Sequence, residues 1–451
     1  MKITFLGGTE TVTGSKFLLE TERTSVLIDC GLFQGYKWLR ERNWQTLPMD
    51  IEKLDAVLLT HAHLDHSGYL PVLYKHGFRG PVYTHHATKD LCRILLADSG
   101  HIHEEDARYY NKHHLGKHEQ SEPLYDRQNA EDCMALFQPV DFDEPLDVGD
   151  IRFYLQPAGH ILGAASIIVE AEGKRVGFSG DVGRFHDVLM RPPRPLPALD
   201  LLLMESTYGN RQHEKQDPFE ELAEIVNQVA NHGGVLLIPA FAVGRAQALQ
   251  HMLATLMEEK RIPRIPVYLD SPMAIQVSDI FCQYHEQHRL NASECHRMCN
   301  DIIYIRTVDE SKAIEKQAFP HIILAGSGMA TGGRILHHFK RLLSSPKTTV
   351  LFTGYQAGGT RGAKMLAGVE TVKIHGEWIP LRASIKMLSS LSGHADYLEL
   401  TQWLQQSALA KKTPIQLIHG DPEALEALRV HLQEQTKFTV DVAGYWSILR
   451  L

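Results

Sequence analysis

The sequence predicts an α/β protein in two parts, a layered sandwich of strands and helices interrupted by a parallel-sheet α/β insertion. Three observations predict it. The first 207 residues carry short apolar strands separated by turns and polar loops. From about residue 208 apolar strands alternate with amphipathic helices, and after about residue 365 the short-strand pattern returns. The expected segments are therefore 1–207, 208–365 and 366–451, since 451 residues exceed one ordinary core.

In chain order, KITFLGG, KFLLET, SVLIDCG and LDAVLLT (54–60) read as strands, and GPVYTHH (80–86) as another. The histidine-rich stretch 101–132 reads as a solvated insertion with helical pieces and no clear face; its histidines follow no ligand spacing. IRFYLQPAGH, SIIVEAEG, KRVGFSGD and DLLLMESTYG (200–209) restore the strand pattern, around a rigid surface connection at RPPRPLP (191–197). In the second part, GGVLLIPAFA, IPVYLDSP, HIILAGS and TTVLFTGY are strands. GRAQALQHMLATLMEEK and GGRILHHFKRLLSS are helices between them, as right-handed crossovers of a parallel sheet require. VKIHGEW, ASIKMLSSLSGHAD and PIQLIHGD close the chain.

Composition excludes several classes. With 43% hydrophobic and 22% charged residues the chain is a globular one. No apolar stretch approaches the roughly 20 residues of a membrane span, and the N-terminus lacks a secretory signal, so a cytoplasmic location without membrane association is expected. A net charge of −8 lacks the footprint of a general nucleic-acid binder, although a local basic groove is compatible with it. Six cysteines show no disulfide framework. Cys282, His285, Cys295 and Cys299 match no common zinc module and read as helix cysteines and a surface histidine.

The strongest motif is HAHLDHSG (61–68). Four specified residues at roughly 5% each, over about 450 starts, arise by chance on the order of a few times per thousand chains. In an extended segment His61 and His63 project to one side and can share a metal, while Asp65 and His66 follow as the chain turns into a helix and can face a second one. Zinc suits imidazole-rich sites, with aspartate able to bridge two ions. Too few ligands are present there for two metals. His160 in PAGHILGAAS, Asp181 in FSGDVGR, His394 in SGHAD and His419 in IHGD each follow an apolar stretch and adjoin glycine, where a loop can approach a metal. Asp29 in VLIDCG has the same setting and can orient a ligand histidine.

Together these motifs resemble the metallo-β-lactamase superfamily, and more closely its β-CASP branch of RNA-processing nucleases, over essentially the whole chain. VLIDCG, HAHLDHSG, GHILGAAS and FSGDVGR look like the four superfamily motifs in order. ESTYG with Glu205, SGHAD with His394 and IHGD with His419 look like the three motifs of the branch, and IPAFAVGRAQ, LDSPMA, GSGMATGGR and GYQAGGTRG are similar to its inserted domain. The resemblance implies an αββα sandwich with an inserted β-CASP domain, and two zinc ions per chain. His61, His63 and His160 would hold one; Asp65, His66 and His419 the other; Asp181 would bridge, with Asp29 in support. Asp65, Glu205 and His394 are the implied catalytic residues, with His394 as general acid beside Glu205. A hydroxide on two zincs about 3.5–4 Å apart would attack phosphorus in line, mainly endonucleolytically on single-stranded RNA, leaving 5′-phosphate and 3′-hydroxyl ends. A homodimer is also implied. With no appended RNA-binding domain expected, RNA selection would fall to the two core domains or a partner.

GSGMATGGR (326–334) sits between a strand and a helix, where backbone N–H groups can cradle phosphate; it lacks the spacing of a dinucleotide fingerprint or a P-loop. Arg245, Ser271, Ser327, Gly328, Thr331, Gly332 and Arg334 are the candidate RNA phosphate contacts. Two rivals stand beside the nuclease reading. A small-molecule thioester or lactone hydrolase of this fold would lack both the insertion and SGHAD. A non-catalytic RNA-binding subunit would have lost ligand residues, and all are present here.

Overall fold

The computed structural model describes residues 1–113, 121–213, 216–354 and 356–451, so His114 and His118 of the histidine-rich tract lie outside the described residues. The chain forms two compact units. The first comprises 1–186, 190–212 and 393–451; the second comprises 187–189 and 213–392.

Two seven-stranded sheets build the first unit. One runs, edge to edge, Ile448–Arg450, Lys2–Gly7, Lys16–Glu20, Ser25–Ile28, Ala56–Leu58, Val82–His85 and Phe137–Val140. The other runs Thr439–Val442, Pro414–Leu417, Leu201–Met204, Lys174–Phe178, Ala165–Ala171, Ile151–Pro157 and Leu146–Val148. Alternate residues of each strand face one shared core: Phe17 and Leu19, Val26 and Ile28, Ala56 and Leu58 from the first sheet meet Phe153 and Leu155, Ile167 and Val169, Leu201 and Leu203 from the second. The two-residue period of a strand makes this possible. The opposite face of the second sheet, through Ile168, Leu202, Met204 and Leu417, packs on Leu400, Trp403, Leu425 and Leu428 of helices Tyr397–Gln406 and Pro422–Gln435. Helix His86–Lys112 covers the first sheet, with Leu91, Leu95 and Leu96 buried. The layering is the expected αββα sandwich.

In the second unit six strands pair in parallel, in the order Ile303–Tyr304, Val267–Asp270, His321–Ala325, Val235–Pro239, Thr348–Phe352 and Ser384–Met387. Apolar clusters on both faces, one around Leu249, Leu253 and Ile275, the other around Leu336, Phe339 and Phe352, enclose it between helices. The four parallel strands expected from sequence are its centre.

Three expectations change. The second unit extends to Ser392, past residue 365, because Ser384–Met387 pairs with Thr348–Phe352; a strand pattern does not say which sheet it joins. VKIHGEW is not one strand but the turn and flanking residues of a hairpin, Thr371–Ile374 with Glu377–Pro380. Most of the histidine-rich stretch as far as Lys112 continues one helix of 27 residues from His86, whose first half is buried and whose second half is largely exposed. No helix among the described residues is long and apolar enough to cross a membrane.

Trp403 has a fully buried side chain, and its indole N–H donates to the Arg194 carbonyl at 2.8 Å. Trp403→Ala is expected to destabilise the first unit by about 3–5 kcal/mol, read as a lowered denaturation midpoint.

Candidate metal centre and active site

The site residues belong to the first unit and cluster where strands end. Asp29 follows Ser25–Ile28, His61 and His63 follow Ala56–Leu58, and His160 follows Ile151–Pro157. Asp181, Glu205 and His419 follow Lys174–Phe178, Leu201–Met204 and Pro414–Leu417. His63 caps the one-turn helix Leu64–Ser67, which carries Asp65 and His66. Close backbone approach explains two motif glycines: a Cβ at Gly31 would lie 1.6 Å from the Asp65 carbonyl oxygen, and one at Gly183 1.9 Å from that of Gly159. Asp29 and His419 adopt left-handed backbone, with φ of 58° and 49°, a conformation costly for a non-glycine residue and met where a site over-determines it.

Potential ligand atoms converge in two sets that share Asp181. Those of His61, His63, His160 and Asp181 lie within 4.8 Å of one another, as do those of Asp65, His66 and His419. In the first set His63 Nδ1 is 3.2 Å from both His61 Nε2 and His160 Nε2. In the second, His66 Nε2 and His419 Nε2 are 3.1 Å apart. Asp181 Oδ2 lies 3.4 and 3.5 Å from the Nε2 atoms of His61 and His160. Its Oδ1 lies 3.2 Å from His66 Nε2 and 3.5 Å from His419 Nδ1. One carboxylate oxygen thus faces each set.

The far ring nitrogens fix which lone pairs face inward. His66 Nδ1–H donates to Asp29 Oδ2 at 2.7 Å and His160 Nδ1–H to the Gly393 carbonyl at 3.0 Å, so their Nε2 lone pairs point into the cluster. Asp29 is itself held by the Thr60 amide at 2.8 Å and the Thr60 hydroxyl at 2.9 Å. Thr207 Oγ1 lies 3.0 Å from His419 Nδ1. Burial pushes His61 and His160 below the usual histidine range and His63 down to about 3, so these rings are neutral and offer lone pairs. For His66, burial is outweighed by the carboxylates of Asp181 and Asp29, which raise it. Burial lifts Asp65, but the His419 hydrogen bond and the His66 charge outweigh it and hold the carboxyl below the usual range.

These residues fit metal ions. Asp181 Oδ1 is buried with no hydrogen bond, a costly state for a carboxylate oxygen unless a cation meets it. Nitrogen lone pairs aimed at one another make the same demand. The donor set, imidazole with carboxylate, suits zinc.

Glu205 and His394 stand beside Asp181. Glu205 is fully buried and accepts from the Val182 amide at 2.6 Å and the Thr207 amide at 3.2 Å. His394 Nδ1 is 3.2 Å from Glu205 Oε1 and 3.9 Å from Asp181 Oδ2, and its side chain is 19% exposed. It is the partly open face of a buried cluster.

The residues put forward for RNA phosphate lie in the second unit and are more engaged than expected. Arg334 NH1 is 2.5 Å from Asp270 Oδ1, and its guanidinium also donates to the carbonyls of Ile305 and Arg306. Asp270 also holds His338 Nε2 at 2.8 Å and the Ser311 hydroxyl at 2.5 Å. The arginine therefore ties strand to loop instead of standing open to phosphate. In the glycine-rich loop the Thr331 and Gly332 amides donate to Ser327 Oγ at 3.0 and 3.3 Å, so a side chain takes what a phosphate cradle would use. Gly328 packs against the Phe241 ring. Ser271 caps helix Pro272–Phe281, and Arg245 begins helix Arg245–Glu258.

Sequence reasoning missed Thr60, Thr207 and Lys16. The first two adjoin motif residues, and that adjacency is the only signal they carry. Lys16 is 1% exposed, with its ammonium between the Phe33 and Tyr69 rings, 4.7 Å from each centroid, and donating to the Gly31 carbonyl. Burial lowers it to about 8. It braces the loop against which Asp65 packs; nothing in TGSKF announces this.

Two imidazole–carboxylate clusters sharing one aspartate, at the strand ends of a two-sheet sandwich, define a metallo-hydrolase. Three family descriptions match the chain: "Beta-lactamase superfamily domain" over 24–238, "Beta-Casp domain" over 246–365, and "Zn-dependent metallo-hydrolase RNA specificity domain" over 378–443. "Ribonuclease TTHA0252" of Thermus thermophilus is 39% identical over 437 residues, 95% of each chain. "Transcription termination factor FttA" of Methanocaldococcus jannaschii is 31% identical over 93% of this chain and 67% of that one. "Cleavage and polyadenylation specificity factor 73" of Drosophila melanogaster is 29% identical over 96% and 62%. A solved protein of unknown function from Enterococcus faecalis shares the fold, with a TM-score of 0.54 at 14% identity over 100% of this chain and 99% of that one. The chain belongs to the β-CASP nuclease branch of the metallo-β-lactamase superfamily.

Asp29→Asn removes the carboxylate that orients His66 while preserving shape. It is expected to weaken metal retention about 10–100-fold, measured by chelator competition, with an unchanged circular dichroism spectrum.

Proposed function

We propose that this protein is a zinc-dependent ribonuclease that cuts single-stranded RNA, mainly internally, leaving 5′-phosphate and 3′-hydroxyl ends. The observation that carries the reading is the Glu205–His394 pair beside Asp181, a proton-transfer group next to a candidate two-metal cluster. RNA as substrate is supported by the match to an RNA specificity domain and by a relative named a ribonuclease.

His61, His63 and His160 would hold one zinc and Asp65, His66 and His419 the other, with Asp181 reaching both. Bound zinc acidifies water to near neutrality and offsets charge on phosphoryl oxygens. Around it the chain's own groups have distinct work. Asp29 keeps the His66 proton on Nδ1 and Gly393 keeps that of His160 there, so Nε2 stays a ligand in each. Asp65 orients the attacking water. Glu205, anchored by two amides, supplies the counter-charge to a protonated His394 ring. His394 then gives a proton to the departing 3′ oxygen, which would otherwise leave as an alkoxide.

Elemental analysis of purified protein is expected to find close to two zincs per chain, and folded protein free of metal would sink the reading. His394→Ala should retain zinc and RNA binding and lose about 10²–10⁴-fold in cleavage rate; normal cutting by this variant would remove His394 from the mechanism. Incubation with matched single-stranded RNA and DNA, with end-group analysis, decides the polymer and the ends. Hydrolysis of a thioester or lactone with neither polymer cut would favour the small-molecule alternative.

A further inference from the structure

Helices Pro272–Phe281 and Ala292–Asn300 of the second unit bring two half-buried thiols together: Cys282, the residue that ends the first helix, and Cys299, in the last turn of the second, have their Sγ atoms 3.9 Å apart. The segment between them is anchored. The buried His288 ring stacks on Phe281 at 4.1 Å between centroids, and His288 Nε2 lies 3.1 Å from the Phe281 carbonyl. The thiols are thus held close by a folded loop. A zinc site is not what they form. His285 is exposed and faces Glu286 at 3.9 Å, and no convergent ligand group among the described residues includes these cysteines.

We propose that Cys282 and Cys299 are a peroxide-responsive dithiol that closes to a reversible disulfide, independently of the metal centre and of the ribonuclease reading. A disulfide needs an S–S separation of about 2.0 Å, and the two sulfurs start from van der Waals contact at 3.9 Å. Cys299 is the attacking sulfur. The contact with Cys282, in which either thiol can donate, holds Cys299 below the ordinary thiol range against burial and raises Cys282. The Cys299 thiolate attacks a hydroperoxide oxygen: an S–O bond forms, the O–O bond breaks, and the departing oxygen leaves as alcohol or water after taking a proton. The Cys282 sulfur then displaces the sulfenic hydroxyl, which departs with the Cys282 proton as a second water. Two thiols lose two electrons and the hydroperoxide gains them.

The other cysteines provide an internal control. Cys30, Cys92 and Cys133 are buried, and burial pushes their thiols up, to about 12 for Cys133. Cys295 is buried on the same helix as Cys299.

Trypsin separates the three candidates, because Cys282 falls in 265–289, Cys295 in 290–297 and Cys299 in 298–306. The full chain, treated with hydrogen peroxide and then alkylated, is expected to yield a cross-link of 265–289 to 298–306, lighter by about 2 Da than the two thiol peptides and reversed by dithiothreitol. Cys299 should be consumed roughly tenfold or more faster than Cys30, Cys92 and Cys133, with metal content unchanged. In Cys282→Ser the chemistry should stop at a Cys299 sulfenic acid trapped by dimedone. A cross-link through Cys295, thiol loss spread evenly over all six cysteines, absence of any cross-link, or zinc lost on Cys299→Ser would each overturn the proposal.

Discussion

The side chain of Asp181 is the constraint on which the first unit depends. Its carboxylate is 2% exposed, and its two oxygens face two different groups of imidazole nitrogens at 3.2–3.5 Å. A buried carboxylate is costly unless compensated; burial pushes the His61 and His160 rings toward the neutral form, while His66 is raised by the carboxylates it faces. A metal cofactor held by these residues would meet the unpaired Asp181 oxygen.

The two-sheet sandwich bears that cost because the strands delivering the ligands are the centre of its core. Ile28, Leu58, Leu155, Phe178 and Leu203 are buried between the two sheets, each one to three residues before a site loop. The loops then pin one another. The Asp65 carbonyl accepts the Ser15 amide, the His66 carbonyl accepts the Cys30 amide, and Gly8 accepts the His419 amide, at 2.9, 2.7 and 2.7 Å. Left-handed backbone at Asp29 and His419 persists where each loop leaves a buried strand and is pinned at once, the Asp29 amide by the Leu58 carbonyl at 2.9 Å and the His419 amide by that of Gly8.

In the second unit the polar residues of the strand-end loops hold one another. Asp270 gathers Arg334, His338 and Ser311, Arg361 donates to the Thr331 carbonyl, and Ser327 closes its own loop. Buried polar groups are paired first with protein, and only residual capacity is open to a ligand. A glycine-rich loop between strand and helix is consequently weaker evidence for phosphate than its sequence alone suggests.

By itself, the sequence determined the two-part α/β architecture, the parallel sheet of the insertion, and the identities of the residues that meet in the cluster. Strand periodicity and the HAHLDH spacing are local, so a linear reading captures them. Tertiary structure alone decided what depends on distance between remote segments. It put Ser384–Met387 in the sheet of the second unit, turned Gly393 into the partner of His160, aimed one oxygen of Asp181 at each histidine group, and gave Arg334 to Asp270. Those outcomes depend on which loops the core brings side by side, and the identity of a residue carries no record of its eventual neighbour.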